Sequence, residues 1–319
     1  MLVDLHVHLR GTMAPPTVRK LAKKNGVVVP EEILSAPGYG WTDFTSFLDT
    51  YDLVASVVQS ASDIEEIAHD YLTAVAAEGT GYVEFMLSPP HDGRPGIKYA
   101  DQIAAIDAAA DRALEETGIE CRVISTAVRH LGPAASLEAA RAAVSTRSRR
   151  LVGFGLTGDE RKFAVSAFDE AFSIARSEGL KTTAHAGEYL PAETIIEAID
   201  VLRLSRVGHG VSAISSPTIT RQLAAEKMPL EVCLGSNLSL GLYLCIEDHP
   251  VSHLANAGCS ITLGTDDPAF FATSPALEYR LAAESAPDLL STYNISKAAL
   301  GAAFCDDDIK ARLLARLEG

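Results

Sequence analysis

The feature that most constrains the fold is an alternation of short apolar runs and helical segments along almost the whole chain. Each apolar run is followed by sequence with helical apolar spacing. The predicted strands are residues 2–8, 82–86, 120–126, 151–156, 180–185, 205–208, 229–233 and 259–265. Eight strands alternating with helices predict an α/β protein with a (β/α)8 TIM barrel. No stretch has linker composition, so we predict one domain over residues 1–319.

A longer insertion follows the first predicted strand. Residues 27–60 contain several Pro and Gly residues and then show helical apolar spacing. We predict a helical cap over the C-terminal face of the barrel, either as a moving lid or as a fixed cover. Ser62 and Glu65 fit a capping box, which predicts that the next helix begins there.

Composition and charge argue against several classes of function. The formal net charge of −15 opposes binding to nucleic acid or to an anionic membrane. No stretch approaches the roughly 18 apolar residues of a membrane span, and the N-terminus lacks a signal-peptide pattern. The 5 cysteines contain no C-x-x-C pair, so disulfides and a thiolate metal site are not expected. We therefore expect a cytoplasmic protein, and the oligomeric state stays open.

Side chains that bind metals fall where the predicted strands end. His6 and His8 share one face of the first strand because side chains alternate along a strand. His185 ends the fifth strand, His209 ends the sixth, and Asp266 follows the eighth. Each histidine alone is more often structural, but a TIM barrel gathers these strand ends around one site. Imidazoles with one carboxylate suit a single zinc-like ion with an open position.

A hydrolase built on such an ion also needs proton-transfer groups. His209 and Asp266 are candidates for holding and deprotonating the attacking water. Glu188 lies three residues after His185 and suits the general acid if burial raises its pKa. General acid–base help of this kind is worth about 10²–10⁴-fold in rate.

Several short motifs occur together, in one order, over most of the chain. They are His6-Val7-His8-Leu9, Gly155-Leu156-Thr157-Gly158-Asp159-Glu160, His185-Ala186-Gly187-Glu188, Gly208-His209-Gly210, Ser236-Asn237-Leu238 with His249-Pro250, and Thr265-Asp266-Asp267-Pro268. The combination resembles the adenosine deaminase family of the amidohydrolase superfamily, although each motif alone is unspecific. The aminodeoxyfutalosine deaminase branch is one candidate within it.

The resemblance implies an activity and a role for each matching residue. The activity would be zinc-dependent hydrolytic removal of the 6-amino group of an adenosine-like nucleoside, with release of ammonia. One zinc ion would be bound by His6, His8, His185 and Asp266. Glu188 would protonate purine N1 while hydroxide, oriented by His209, attacks C6. Asp267 would hydrogen-bond N7, and the backbone N–H of Gly158 would contact N3.

One position departs from the family pattern. Where these deaminases usually have an acidic residue for the ribose 5′-hydroxyl, this chain has Arg10. A guanidinium binds carboxylate or phosphate, so the substrate would be an adenine nucleoside with an anionic 5′ end, such as aminodeoxyfutalosine. Alternatively, Arg10 pairs with an acid such as Glu160 and touches no substrate.

Two other classes of function stay open at this stage. One is another metal-dependent amidohydrolase that acts on a non-purine substrate, such as a lactonase or a pterin deaminase. The pairing of Glu188 with Asp267 argues against this class, because ester hydrolysis needs no acid aimed at a ring nitrogen. The other is a non-catalytic relative, which would be expected to lose metal ligands or the acid, and this sequence has lost neither.

Overall fold

Eight parallel strands form the centre of the computed structural model, which describes residues 1–35, 38–89 and 96–319. The strands are β1 Leu2–His8, β2 Thr80–Leu87, β3 Glu120–Val128, β4 Leu151–Thr157, β5 Lys181–Ala186, β6 Arg206–His209, β7 Pro229–Val232 and β8 Ser260–Leu263. Each strand pairs with the next along the chain. The predicted (β/α)8 barrel is confirmed, with strand ends within two residues of their predicted positions.

The barrel closes between β1 and the residues that follow β8. The N–H of His8 donates to the carbonyl of Asp266 at 2.8 Å, and the N–H of Asp266 donates to the carbonyl of His6 at 2.8 Å. Gly264 permits this approach, because a Cβ there would lie 2.4 Å from the Cβ of His6. The first and last strands therefore meet at residues that were predicted to bind metal.

Helices surround this sheet and complete the fold. They are α1 Pro15–Asn25, α2 Glu31–Leu34, α3 Phe44–Ala55, α4 Ala61–Ala77, α5 Tyr99–Thr117, α6 Gly132–Ser145, α7 Asp169–Ser177, α8 Glu193–Leu202, α9 Pro217–Glu226, α10 Leu234–Ser239, α11 Val251–Asn256, α12 Pro275–Ser285, α13 Thr292–Ala302 and α14 Asp307–Glu318. Among the described residues, no helix is both long and apolar enough to cross a bilayer.

The start of α4 corrects the predicted capping box. The N-cap is Ser60, two residues before the predicted Ser62. The Ser60 hydroxyl accepts the N–H of Asp63 at 3.2 Å, and the Asp63 carboxylate accepts the N–H of Ser60 at 2.9 Å. A carboxylate that also accepts the N–H of Gln59 satisfies more of the free donors than the predicted pairing with Glu65 would.

The insertion after β1 packs against loops at the C-terminal end of the barrel. Its residues 36–37, which include Pro37, lie outside the described residues. The ring of Phe44 lies 4.9 Å from that of Tyr189, in the loop after β5. The ring of Phe47 stacks on that of Phe271, in the loop after β8, at 5.3 Å. The insertion thus lies beside the mouth, and its movement as a lid stays a prediction.

A buried ion-pair network lies inside the barrel. Arg206 on β6 is fully buried and donates to Glu84 on β2 at 2.6 Å and to Glu231 on β7 at 2.5 Å. Its guanidinium also donates to the carbonyl of Ala302 at 3.0 Å and lies 3.6 Å from the centre of the Phe304 ring. One cation therefore balances two buried carboxylates and connects the sheet to the C-terminal helices.

Replacing Arg206 with methionine is expected to lower the free energy of unfolding by about 3–5 kcal/mol, because it leaves two buried carboxylates without their cation. The measurement is urea unfolding of wild type and variant at the same metal concentration. The control is Arg112→Met, since Arg112 pairs with Glu65 at the surface at 3.0 Å and such pairs contribute about 1 kcal/mol or less. Equal losses in the two variants would contradict the role given to Arg206.

Candidate metal and active site

Four histidines and an aspartate meet at the C-terminal end of the barrel, as predicted. The ring centre of His6 lies 4.8 Å from that of His185, 5.1 Å from that of His209 and 5.5 Å from that of His8. Oδ1 of Asp266 lies 3.1 Å from Nε2 of His8 and 3.6 Å from Nε2 of His6. The strand ends therefore bring all the predicted ligands into one cluster.

The donor atoms of this cluster suit a bound metal. Ligand atoms of His6, His185, His209 and Asp266 lie within 4.8 Å of one another, and His8 forms a second such group with Asp266 and Asp267. Nε2 of His6 and of His185 are buried and have no hydrogen-bond partner among the described residues. Buried polar atoms are normally paired, so these nitrogens are free to coordinate a cation.

Two titratable groups beside the cluster have strongly shifted pKa values. Glu188 lies in the turn after β5, with Oε2 at 3.9 Å from Nε2 of His209. Burial and the neighbouring charges of Asp266 and Glu160 raise the pKa of Glu188 well above its usual value. Burial lowers the pKa of His209 to about 3. The site therefore places a carboxyl whose pKa is raised next to an imidazole whose pKa is lowered.

Of the predicted substrate-binding residues, Asp267 borders the same cluster, and Gly158 lies just after the end of β4. Oδ1 of Asp267 is buried without a partner among the described residues, and burial together with Asp266 raises the pKa of its carboxyl to about 7. Gly158 follows β4 with a left-handed φ of 89°, and a Cβ there would lie 2.8 Å from Nδ1 of His130. A side chain at Gly11 would collide with the site, since a Cβ there would meet Asp267.

Arg10 does not make the predicted alternative contact with Glu160. It lies in a short 3-10 turn after β1, and its Nε is buried without a hydrogen-bond partner in the described part of the chain. Burial lowers the pKa of its guanidinium, although Tyr51 and Asp52 oppose this. Glu160 instead accepts hydrogen bonds from the backbone of the turn that carries Glu188. The Nε–H of Arg10 is therefore available to donate a hydrogen bond to a ligand.

Sequence reasoning missed three residues that hold the metal-binding side chains. Glu231 accepts from Nδ1 of His6 at 2.7 Å, which directs Nε2 of that ring toward the cluster. The hydroxyl of Ser236 donates to Oδ2 of Asp266 at 2.7 Å, which leaves Oδ1 facing the histidines. Asp4 accepts the N–H groups of His6 and of Thr265, at 3.2 and 3.3 Å. A charged residue inside an apolar strand was the available signal for Asp4 and Glu231.

A parallel barrel with imidazoles, one aspartate and a buried acid at its C-terminal end defines the class of metal-dependent hydrolases. The sequence model described as adenosine deaminase matches residues 2–319. An adenine deaminase of Mesorhizobium japonicum is 41% identical over 317 residues, which cover 99% of this chain and 98% of that protein. An adenine deaminase of Chelativorans is 42% identical over 319 residues, covering 99% and 97%.

Solved structures agree with these sequence relatives. The crystal structure of an adenine deaminase from Arthrobacter aurescens has a TM-score of 0.91 and 28% identity, covering 99% of this chain and 98% of that one. An amidohydrolase from Burkholderia ambifaria with bound zinc has a TM-score of 0.87 and 25% identity, covering 99% and 89%. The chain belongs to the adenosine deaminase family. It is an aminohydrolase that deaminates a purine.

Replacing Ser236 with alanine is expected to weaken metal binding about 10-fold, because Asp266 loses the donor that orients its carboxylate. The measurement is competition for zinc against a chelator. The control is Ser296→Ala, since Ser296 is equally buried but donates to the carbonyl of Met1, at 2.8 Å. Unchanged zinc affinity in Ser236→Ala would show that this hydrogen bond does not position the ligand.

Proposed function

We propose that this chain catalyses zinc-dependent hydrolytic deamination of adenine at its 6-amino group, with release of ammonia. The observation that carries the proposal is the placement of a buried carboxylic acid, Glu188, at 3.9 Å from His209 beside the metal-type cluster. The relatives cited above, including those at 41% and 42% identity, are named adenine deaminase, which favours the free base. The site is also enclosed, since the side chain of His8 is only 12% exposed and that of Asp266 only 6%.

Zinc is proposed as the metal, held by His6, His8, His185 and Asp266. These side chains supply three imidazole nitrogens and a carboxylate, a donor set that zinc binds in catalytic sites. The Burkholderia ambifaria neighbour with bound zinc supports the choice of metal. When bound, zinc would lower the pKa of a water molecule so that it can act as a nucleophile near neutral pH. His209 is left out of the ligand set because the reaction needs a base.

The remaining residues supply the proton transfers and orient the ring. Protonated Glu188 would donate to N1, which draws electrons from C6 and favours attack there. Neutral His209 would take a proton from the attacking water, and Asp266 would share in holding that water. Asp267 would hydrogen-bond N7, and the N–H of Gly158 would bind N3. The proton that His209 accepted would pass to the amino nitrogen, the C–N bond breaks and ammonia leaves, while the C6 hydroxyl returns a proton to Glu188, so that the product is the 6-oxopurine with a proton on N1.

One observation favours a second substrate class. The buried Nε of Arg10 has no hydrogen-bond partner in the described part of the chain. Arg10 lies two residues after the end of β1, the strand that carries His6 and His8. An adenosine-like nucleoside with an anionic 5′ end, as in aminodeoxyfutalosine, would supply that partner. Neither free adenine nor unmodified adenosine, the substrate first implied by the sequence, would bring an anion to Arg10. A non-purine substrate finds no support among the relatives.

We also propose a cellular location for this enzyme and a role for its cap. We place the reaction in the cytoplasm because all five cysteines are free in the described chain. We propose residues 27–60 as the lid over the site, since Phe44 packs on Tyr189 directly beside Glu188.

A substrate panel distinguishes these alternatives. Adenine, adenosine and a 5′-carboxylated adenosine are incubated with zinc-loaded wild type and with Arg10→Ala, and the absorbance change on deamination is followed. We expect kcat/KM for adenine to exceed that for adenosine by about 10²-fold or more, because an enclosed polar site discriminates strongly against a bulky substituent. A preference for the 5′-carboxylated adenosine that is lost in Arg10→Ala would overturn the assignment of the free base.

Replacing Glu188 with glutamine is expected to lower kcat about 10²–10⁴-fold, because the amide keeps the shape but cannot give N1 a proton. Zinc content should stay at one ion per chain, measured by elemental analysis. The matched control is Glu138→Gln on the exposed side of α6, with unchanged kcat. A Glu188→Gln variant that turns over adenine at the wild-type rate would eliminate Glu188 as the acid.

A further inference from the structure

The turn that carries the proposed acid is held by a single carboxylate. Oε1 of Glu160 accepts the N–H of Gly187 at 2.5 Å. Oε2 of Glu160 accepts the N–H groups of Glu188, Tyr189 and Leu190 at 3.1, 2.8 and 3.2 Å. Four successive backbone donors therefore converge on one side chain, which comes from the loop after β4 and is only 1% exposed.

We propose that Glu160 is a positioning residue for the reaction, which sets the place of the Glu188 carboxyl by fixing the backbone beneath it. The inference rests on the proposed role of Glu188 as the general acid. It assigns Glu160 no contact with substrate or metal. The residue acts only through the turn, residues 187–190.

The turn has few other restraints on its donors. It lies between the end of β5 and the start of α8 at Glu193, so its N–H groups belong to no strand or helix. On its other side, the carbonyl of Gly187 accepts the N–H of Ser212 at 2.9 Å. Gly187 has a left-handed φ of 73°, and a Cβ there would lie 2.5 Å from Ile195. Glu160 therefore decides where residues 188–190 lie relative to the strand.

A carboxylate suits these four donors better than an amide does. Two carboxylate oxygens offer about four lone-pair sites, whereas a glutamine amide offers one oxygen and turns N–H donors toward the turn. Glu160 forms no ion pair within the described residues, and the four N–H groups stabilise its buried charge together with the nearby guanidinium of Arg129. The charge of Glu160 is also one of the causes that raise the pKa of the Glu188 carboxyl.

A double-mutant cycle tests this inference with zinc-loaded full-length protein. Glu160→Gln is expected to lower kcat for adenine about 10–10²-fold with KM changed less than about 3-fold, because a displacement near 1 Å of a reacting group has this cost. In Glu160→Gln combined with Glu188→Gln, kcat should be no lower than in Glu188→Gln alone, because the group that Glu160 positions is already absent.

A readout without turnover accompanies the cycle. Amide hydrogen exchange at residues 187–190 should become faster in Glu160→Gln, while zinc stays at one ion per chain. The matched control is Asp63→Asn, since Asp63 is also a fully buried carboxylate that accepts two backbone N–H groups, those of Gln59 and Ser60. Asp63→Asn should speed exchange near residues 59–60 and leave kcat unchanged.

Several results would overturn the inference. These are additive losses in the double variant, loss of zinc from Glu160→Gln, or unchanged exchange at residues 187–190. If Glu160→Gln does not fold, the same measurements are made on Glu160→Asp. Aspartate keeps the charge but is one methylene shorter, so its carboxylate should hold the turn less well. If wild type does not deaminate adenine, the proposed substrate is wrong. The hydrogen-exchange measurement still tests whether Glu160 holds residues 187–190. The double-mutant cycle is then run with the purine that wild type does deaminate.

Discussion

The site depends on the way the barrel closes. The backbone of Asp266 pairs with that of His6 and His8, so residues from the two ends of the chain become neighbours through two 2.8 Å hydrogen bonds. The carboxylate and the imidazoles then lie side by side without any long side chain having to reach across the barrel. His209 and Asp266 both adopt left-handed φ values, 61° and 60°, at the strand ends. Such strained backbone at a site is maintained only by firm surrounding contacts.

Buried carboxylates provide those contacts. Asp4 holds the backbone of His6 and Thr265, Glu231 holds the ring of His6, and Glu160 holds the turn of Glu188. Arg206 balances the charge of Glu231 from the opposite side. Each anchoring acid lies one contact away from the cluster, so its charge favours a cation there without occupying a coordination position. The same negative surroundings raise the pKa of Glu188, which favours the protonated state that its proposed role requires.

The sequence predicted the barrel and the cluster because both depend on local pattern. Apolar runs located the strands, period two put His6 and His8 on one face, and the fold brings strand ends together. The buried carboxylates that hold the site depend on contacts between distant segments. No local pattern predicts that Glu160 pairs with Gly187, 27 residues later in the chain. Likewise, the pairing of Arg10 with Glu160 was a plausible choice by charge alone, but the backbone of residues 187–190 occupies that carboxylate.

The most direct test of the metal assignment is anomalous diffraction from crystals of zinc-loaded protein, recorded above and below the zinc absorption edge. We predict one peak at about 2.0–2.2 Å from nitrogens of His6, His8 and His185 and from an oxygen of Asp266, with His209 outside the coordination shell. A peak bound to His209 in place of His8 would remove the proposed base from its role. A peak away from β1 altogether would contradict the proposed metal site.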